Sequence, residues 1–178
     1  MLFRSNKLDW TYSTNNFGVG LPQAGDNQGD WPTMDPFLVN PALQPGFASI
    51  YAAHLYFEDV LRIRKSSPLF RLKTGAEVKQ RLKFYNVGPN QQPALIVMAI
   101  SDKVGRKLDP EFKSIVVLFN ADKVSKTITI RDYAGVRLGL HPVQLESAAD
   151  PIVRQSRYDA DTGTFTIPSR TTAVFVER

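Results

Sequence analysis

No cysteine occurs anywhere in the 178 residues. That absence excludes disulfides, thiolate nucleophiles and cysteine-ligated zinc together. Histidine is nearly as scarce, with only His54 and His141, and neither shares a spacing with a carboxylate cluster that would suggest a metal site. No run of roughly 18 apolar residues exists, so no membrane span and no membrane partner are expected. Met1 to Trp10 lacks the continuous apolar stretch of a secretory signal, and a reducing, cytoplasmic or plastid-like compartment fits the missing cysteines. Nucleotide fingerprints are missing too. Gly18-Val19-Gly20 has neither the third glycine of a dinucleotide loop nor the lysine of a phosphate loop, and no Gly-x-Ser-x-Gly elbow is present.

What the chain does have is enough apolar surface, 43% of residues, to build a core. Its net charge of +5 is uneven. Residues 1–66 hold five Lys/Arg and six Asp/Glu, whereas residues 67–178 hold seventeen and eleven, leaving the later part at about +6. Such a surplus can mark a nucleic-acid surface. Here the basic residues are scattered singly, as in Lys79, Arg81 and Lys83, which reads as the solvent face of a strand. No nucleic-acid partner is expected.

Three zones differ in pattern. Residues 1–45 carry five of the twelve prolines and show no helical or alternating period, yet hold both tryptophans, Trp10 and Trp31. A long irregular segment rich in large aromatics reads as a wrapping for some other surface. Residues 46–65 form the one strong helix candidate, an amphipathic helix. Ile50, Ala53, Phe57, Val60 and Leu61 make its apolar stripe, and Glu58 and Arg62 form an i,i+4 pair on the other side. Ser66-Ser67-Pro68 stops it. From Leu69 the period is two. Val78, Leu82 and Phe84 alternate with Lys79, Arg81 and Lys83, while Ala94 to Ile100 and Ile115 to Phe119 are unbroken apolar runs suited to central strands. Thr127 to Ile130, Val136 to Leu140, Thr164 to Ile167 and Thr172 to Val176 supply further short strands. Such spacing indicates a mainly β fold with an antiparallel sandwich.

Candidate chemistry is thin. His54 borders the helix stripe and His141 ends a strand before Pro142; both read as packed, structural histidines. Asp159-x-Asp161-x-x opens like a calcium loop, but position 6 is Thr164 and position 12 is Arg170, so a hairpin turn is expected. Asp26 and Asp30 lie among Gly and Asn, as turn formers do, with no rigid scaffold for an acid/base pair. No catalytic residue, metal site or cofactor is expected from composition and spacing.

The lead segment resembles a known family. Asn6-Lys7-Leu8-Asp9-Trp10-Thr11-Tyr12, Thr14-Asn15-Asn16-Phe17-Gly18-Val19-Gly20-Leu21-Pro22, Asp26-Asn27-Gln28 and Trp31-Pro32 are similar to pullulanase-type starch debranching enzymes, the α-1,6-glucosidases and limit dextrinases. The likeness continues through Ile63-Arg64-Lys65-Ser66-Ser67-Pro68-Leu69-Phe70-Arg71-Leu72, Asn86-Val87-Gly88-Pro89, Ile96-Val97-Met98, Leu140-His141-Pro142-Val143-Gln144 and Gly163 to Phe175. It implies the tail of a multidomain α-amylase-type hydrolase. Residues 1–68 are then the last loop and helix of a catalytic (β/α)8 barrel, and residues 69–178 a C-terminal all-β sandwich. The partner is the upstream barrel, the substrate of the intact enzyme an α-glucan, and the catalytic carboxylates lie upstream. Of the Asp-Trp-Phe-Asn sequence that relatives carry near the substrate, only Asn6 is kept, preceded by Phe3-Arg4-Ser5, so Asn6 is the substrate-binding candidate, and an internal start, a truncated reading frame or an artificial boundary is expected at about residue 5. Two functions compete: a C-terminal module that stabilises the barrel and is inactive alone, and an accessory module that binds α-glucan by itself through Trp10, Tyr12 and Trp31.

Overall fold

The computed structural model describes residues 10–13, 24–147 and 150–178. They divide into two compact units, Met1–Leu55 and Tyr56–Arg178, with the boundary inside a helix.

In the first unit the chain forms α1 (Ala24–Asn27), a 3-10 turn (Gln28–Asp30), α2 (Trp31–Leu38) and a 3-10 turn (Pro41–Leu43). None of these buries a residue, and none shows a readable period in the sequence. Proline explains the short helices. Pro32 sits in the first turn of α2, where its missing N–H and fixed φ suit a helix start, while Pro36 removes an interior donor before the helix can lengthen.

Next comes α3 (Phe47–Ser66), within one residue of the expected helix at each end. A 3-10 turn (Pro68–Arg71) follows, then α4 (Gly75–Arg81), β1 (Leu82–Tyr85), β2 (Leu95–Ser101), β3 (Ser114–Asn120) and β4 (Lys126–Thr129). The chain continues through β5 (Gly139–Leu140), α5 (Pro142–Glu146), a 3-10 turn (Pro151–Gln155), β6 (Arg157–Asp159), β7 (Thr164–Ile167) and β8 (Thr171–Glu177).

The expected alternation at 78–84 is half wrong. Residues 75–81 are helical because Thr74 and Glu77 form a capping box. The Thr74 hydroxyl accepts from Glu77 N–H at 3.1 Å, and the Glu77 carboxylate accepts from Thr74 N–H at 3.3 Å. Those backbone bonds hold Glu77's carboxyl below its usual range, Lys73 N–H contributing most. Arg81, placed by the alternation on a solvent face, is buried at the helix end.

The strands form two antiparallel sheets, β1-β2-β3-β8-β5 and β4-β7-β6, stacked as the expected sandwich. Val97, Leu118, Ala173 and Phe175 meet Phe165 and Ile167 between them. Phe165 is wholly buried and meets the rings of Tyr158, Phe175 and Tyr133 at 4.7, 5.3 and 6.1 Å. On the outer face of the larger sheet, Ile115, Val117, Val174 and Val176 pack with Ile63 of α3, Leu69 and Phe112. The strands β2 and β3 thus feed cores on both faces, which is why they read as unbroken apolar runs, and β8, likewise between two cores, shares both. Each large side chain sealed in this way is worth about 1.5–3 kcal/mol. The loop between β1 and β2 is stapled by Asn86, which accepts from Gln92 N–H at 2.7 Å and donates to Gln92 and Leu95 carbonyls at 2.9 and 2.6 Å.

Candidate functional site

Residues proposed from sequence fall into different places. Asn6 lies outside the described residues. Trp10 is 74% exposed, and Trp31 is half-buried at the start of α2. Tyr12 packs edge-on to Phe47, Tyr51 and His54, with centroids 5.5 to 5.9 Å apart. His54 is therefore an aromatic-cluster residue, as expected of a packed histidine. Asp26 and Asp30 are exposed in α1 and the following turn. Asp159 closes the β6–β7 hairpin, accepting from Asp161 N–H at 2.9 Å and the Thr162 hydroxyl at 2.8 Å. The hydroxyl bond, chiefly, lowers its pKa. Among the described residues no group of three or more His, Cys, Asp or Glu could hold a metal ion.

The main feature of α3 in the second unit is an uncovered apolar face. Phe57, Val60 and Leu61, spaced i, i+3, i+4, are all exposed. Beside them lies an apolar groove of about 210 Å³, lined by Tyr56, Val60, Ile63, Phe70, Val117 and Val174. On the polar side Arg62 pairs with Asp59 at 3.1 Å, one residue from the expected Glu58, and Asp59 also accepts from the Ser147 hydroxyl at 2.6 Å. The first unit exposes large apolar side chains as well, among them Met34, Phe37, Val39, Leu43 and Phe47. Soluble domains tolerate single apolar residues at the surface, but ordered runs of them mark contact surfaces.

Two buried polar devices hold the α3 end to the sandwich. His141 caps α5 by accepting from Val143 N–H at its Nδ1, 3.2 Å away. A ring nitrogen that accepts is unprotonated, so Nε2 carries the proton and donates to Ser66 Oγ at 2.9 Å. Ser66 in turn donates to the Ile63 carbonyl at 2.7 Å. The next residue, Ser67, donates to Asp109, whose other oxygen accepts from Glu111 and Phe112 N–H groups at 2.8 and 3.0 Å. Asp102 binds the buried Arg81 at 2.6 Å and accepts from Leu108 and Asp109 N–H groups, each at 2.9 Å. Sequence reasoning missed Arg81, Asp102 and Asp109. The only local signal was the capping box that turns residues 75–81 into a helix.

His141 is 2% exposed, and burial, reinforced by the positive charges of Arg178 and Arg62, lowers its pKa to about 4. Its neutral form is the one that folds. The stability it provides is complete above the unfolded value of about 6.5 and is lost as pH falls towards 4. The full swing is on the order of 3 kcal/mol. Urea midpoints measured between these pH values are expected to fall steeply in the native chain. In His141→Asn, which keeps a capping oxygen but no titrating ring, the slope is expected to flatten. An unchanged slope would assign the acid sensitivity to other groups.

Against this geometry, comparison with known proteins is decisive. The family model for the C-terminal part of pullulanase-type α-1,6-glucosidases matches residues 12–178. The chain belongs to that family. Pullulanase 1, chloroplastic, from Arabidopsis thaliana is 45% identical over 177 residues, covering 97% of this chain and 18% of its own length. A pullulanase from Klebsiella pneumoniae is 32% identical, covering 95% of this chain and 15% of its own. A crystal structure of the maltotriose complex of Klebsiella pneumoniae PulA superposes with a TM-score of 0.81 at 32% identity, over 97% of this chain and 18% of that one. The chain therefore spans less than one fifth of the length of these relatives. In them the matching region is one part of a longer enzyme.

Proposed function

We propose that this chain acts as the non-catalytic C-terminal region of an α-1,6-glucan debranching hydrolase, seated against an upstream catalytic barrel that it stabilises. The observation that carries the reading is a match over nearly all of this chain to under one fifth of pullulanase relatives. Residues 1–68 would be the barrel's last loop and helix and residues 69–178 the sandwich. The uncovered Phe57, Val60 and Leu61 face supports this division, since a barrel wall is a surface of the right chemistry to cover it. The substrate, an α-glucan such as pullulan or limit dextrin, belongs to the barrel, which carries the acid, base and nucleophile.

The test is reconstitution. The chain alone is expected to release no reducing sugar from pullulan. Added to Arabidopsis pullulanase 1 truncated of its matching region, it is expected to restore hydrolysis, and Phe57→Ser/Leu61→Ser to restore less. Pullulan cleavage by the chain alone would overturn the reading.

A second reading, an accessory module with its own glucan affinity, draws support from Trp10, whose ring is open to stack on a sugar. Titration with maltooligosaccharides under tryptophan fluorescence separates the two; a flat response removes the accessory module.

A further inference from the structure

Val136-Arg137-Leu138-Gly139-Leu140 has the pattern of a five-residue strand, yet only Gly139 and Leu140 are paired, as β5. His141 N–H donates to Val174 O at 2.8 Å, which fixes the phase of the β5–β8 ladder. Facing residues in an antiparallel pair alternate between bonded and non-bonded. Gly139 and Val176 are then a bonded pair, and Leu140 faces Phe175 in a non-bonded one. The main-chain N–H and C=O of Leu140 consequently point away from β8, on the open side of the last strand of the sheet. Leu138, two residues earlier and just before the paired stretch, has no main-chain partner among the described residues.

This free edge borders a groove of about 430 Å³ lined by Leu138, Leu140, Leu145 and Val176. Leu138 and Leu140 lie at the margin of the core between the sheets, so a strand added here extends an existing core. Arg137 and Arg178 stand on the same groove, and neither forms a salt bridge among the described residues. An open ladder, apolar seats and two guanidinium groups without a salt bridge among the described residues converge on one place.

We propose that the groove binds an extended acidic segment of another protein, which adds a strand along Leu138–Leu140, seats alternate apolar side chains and pairs its carboxylates with Arg137 and Arg178. Main-chain bonds supply the affinity and the arginines the choice of partner. A second copy of this chain is a poor complement, because residues 67–178 carry a surplus of about +6. The inference stands independently of the debranching reading.

Fluorescence polarisation with a labelled peptide of alternating valine and glutamate tests it on the whole chain. Saturable binding is expected, weakened about tenfold by Arg137→Glu and by Arg178→Glu, the loss of one charge-assisted contact. Both substitutions are at the surface, and unchanged thermal melting confirms that the fold is kept. N-methylation of alternate peptide amides is expected to abolish binding in one of its two phases. Three results overturn the proposal. The first is no saturable binding, which makes Arg137 a guard of an edge strand only. The second is equal binding of a valine–lysine peptide, or of both N-methylated forms. The third is self-association of the chain that Arg137→Glu disrupts, which assigns the edge to a second copy.

Discussion

Asp102→Ala is expected to cost the sandwich unit about 3–5 kcal/mol, the usual loss when one partner of a buried ion pair is removed. The Arg81 and Asp102 side chains are 2% and 1% exposed, and the pair is direct, at 2.6 Å. Alanine would strand the guanidinium away from water. It would also orphan the Leu108 and Asp109 N–H groups that the carboxylate satisfies. Those bonds shape the loop that brings Asp109 to Ser67, so the damage reaches the α3 end. Arg81→Met also strands a buried charge, but is expected to cost less, because the Asp102 carboxylate keeps its two backbone donors when the Arg81 bonds to Asp102 and to the Ser101 and Arg106 carbonyls are lost. Urea unfolding of the two single variants and the double variant measures the coupling. A loss below about 1 kcal/mol for Asp102→Ala would place the pair with ordinary surface bridges.

Gly163→Ala carries the other large penalty. Gly163 has φ of +71°, a left-handed conformation, and an added Cβ would lie 2.5 Å from the Ile130 carbonyl oxygen and 2.8 Å from Ala134 N. The neighbours cannot yield, since Gly163 O accepts from Ile130 N–H at 2.9 Å and its own N–H donates to Asp159 O at 2.9 Å. Left-handed backbone costs about 1–2 kcal/mol for a residue with a Cβ, and the overlap with main chain adds about 1–3 kcal/mol. Gly88→Ala is the matched control. Its φ is +91° but nothing lies within 4 Å, so only the conformational part is expected. Thermal melts of both variants compare them directly, and equal losses would remove the steric argument.

The fold was largely legible in the sequence because its main elements are defined by local periodicity. The stretches β2, β3, β7 and β8 are apolar or alternating runs with turn residues between them, and α3 carries a stripe bounded by Ser66-Ser67-Pro68. Residues 75–81 were not legible as a helix. The alternation there had no buried face to report, since Val78 and Phe84 are themselves 38% and 49% exposed. The capping box was the better guide. Arg81 and Asp102 are 21 positions apart, and Ser67 and Asp109 are 42 apart. No periodicity brings such pairs together. The stripe on α3 was readable as apolar, but not that Phe57, Val60 and Leu61 stay uncovered while Ile63 is sealed, because burial depends on which surface arrives.

The place of β8 sets the order of events during synthesis. It lies between β3 and β5, with Ala173 and Phe175 turned to one core and Val174 and Val176 to the other. Every other strand of the sandwich leaves the ribosome earlier. Until Thr171 to Glu177 emerges, β3 has a bare edge and both cores lack a wall. A message cut short of that segment therefore yields a polypeptide with all its earlier strands and nothing to close them, and quality control meets it as unfolded chain.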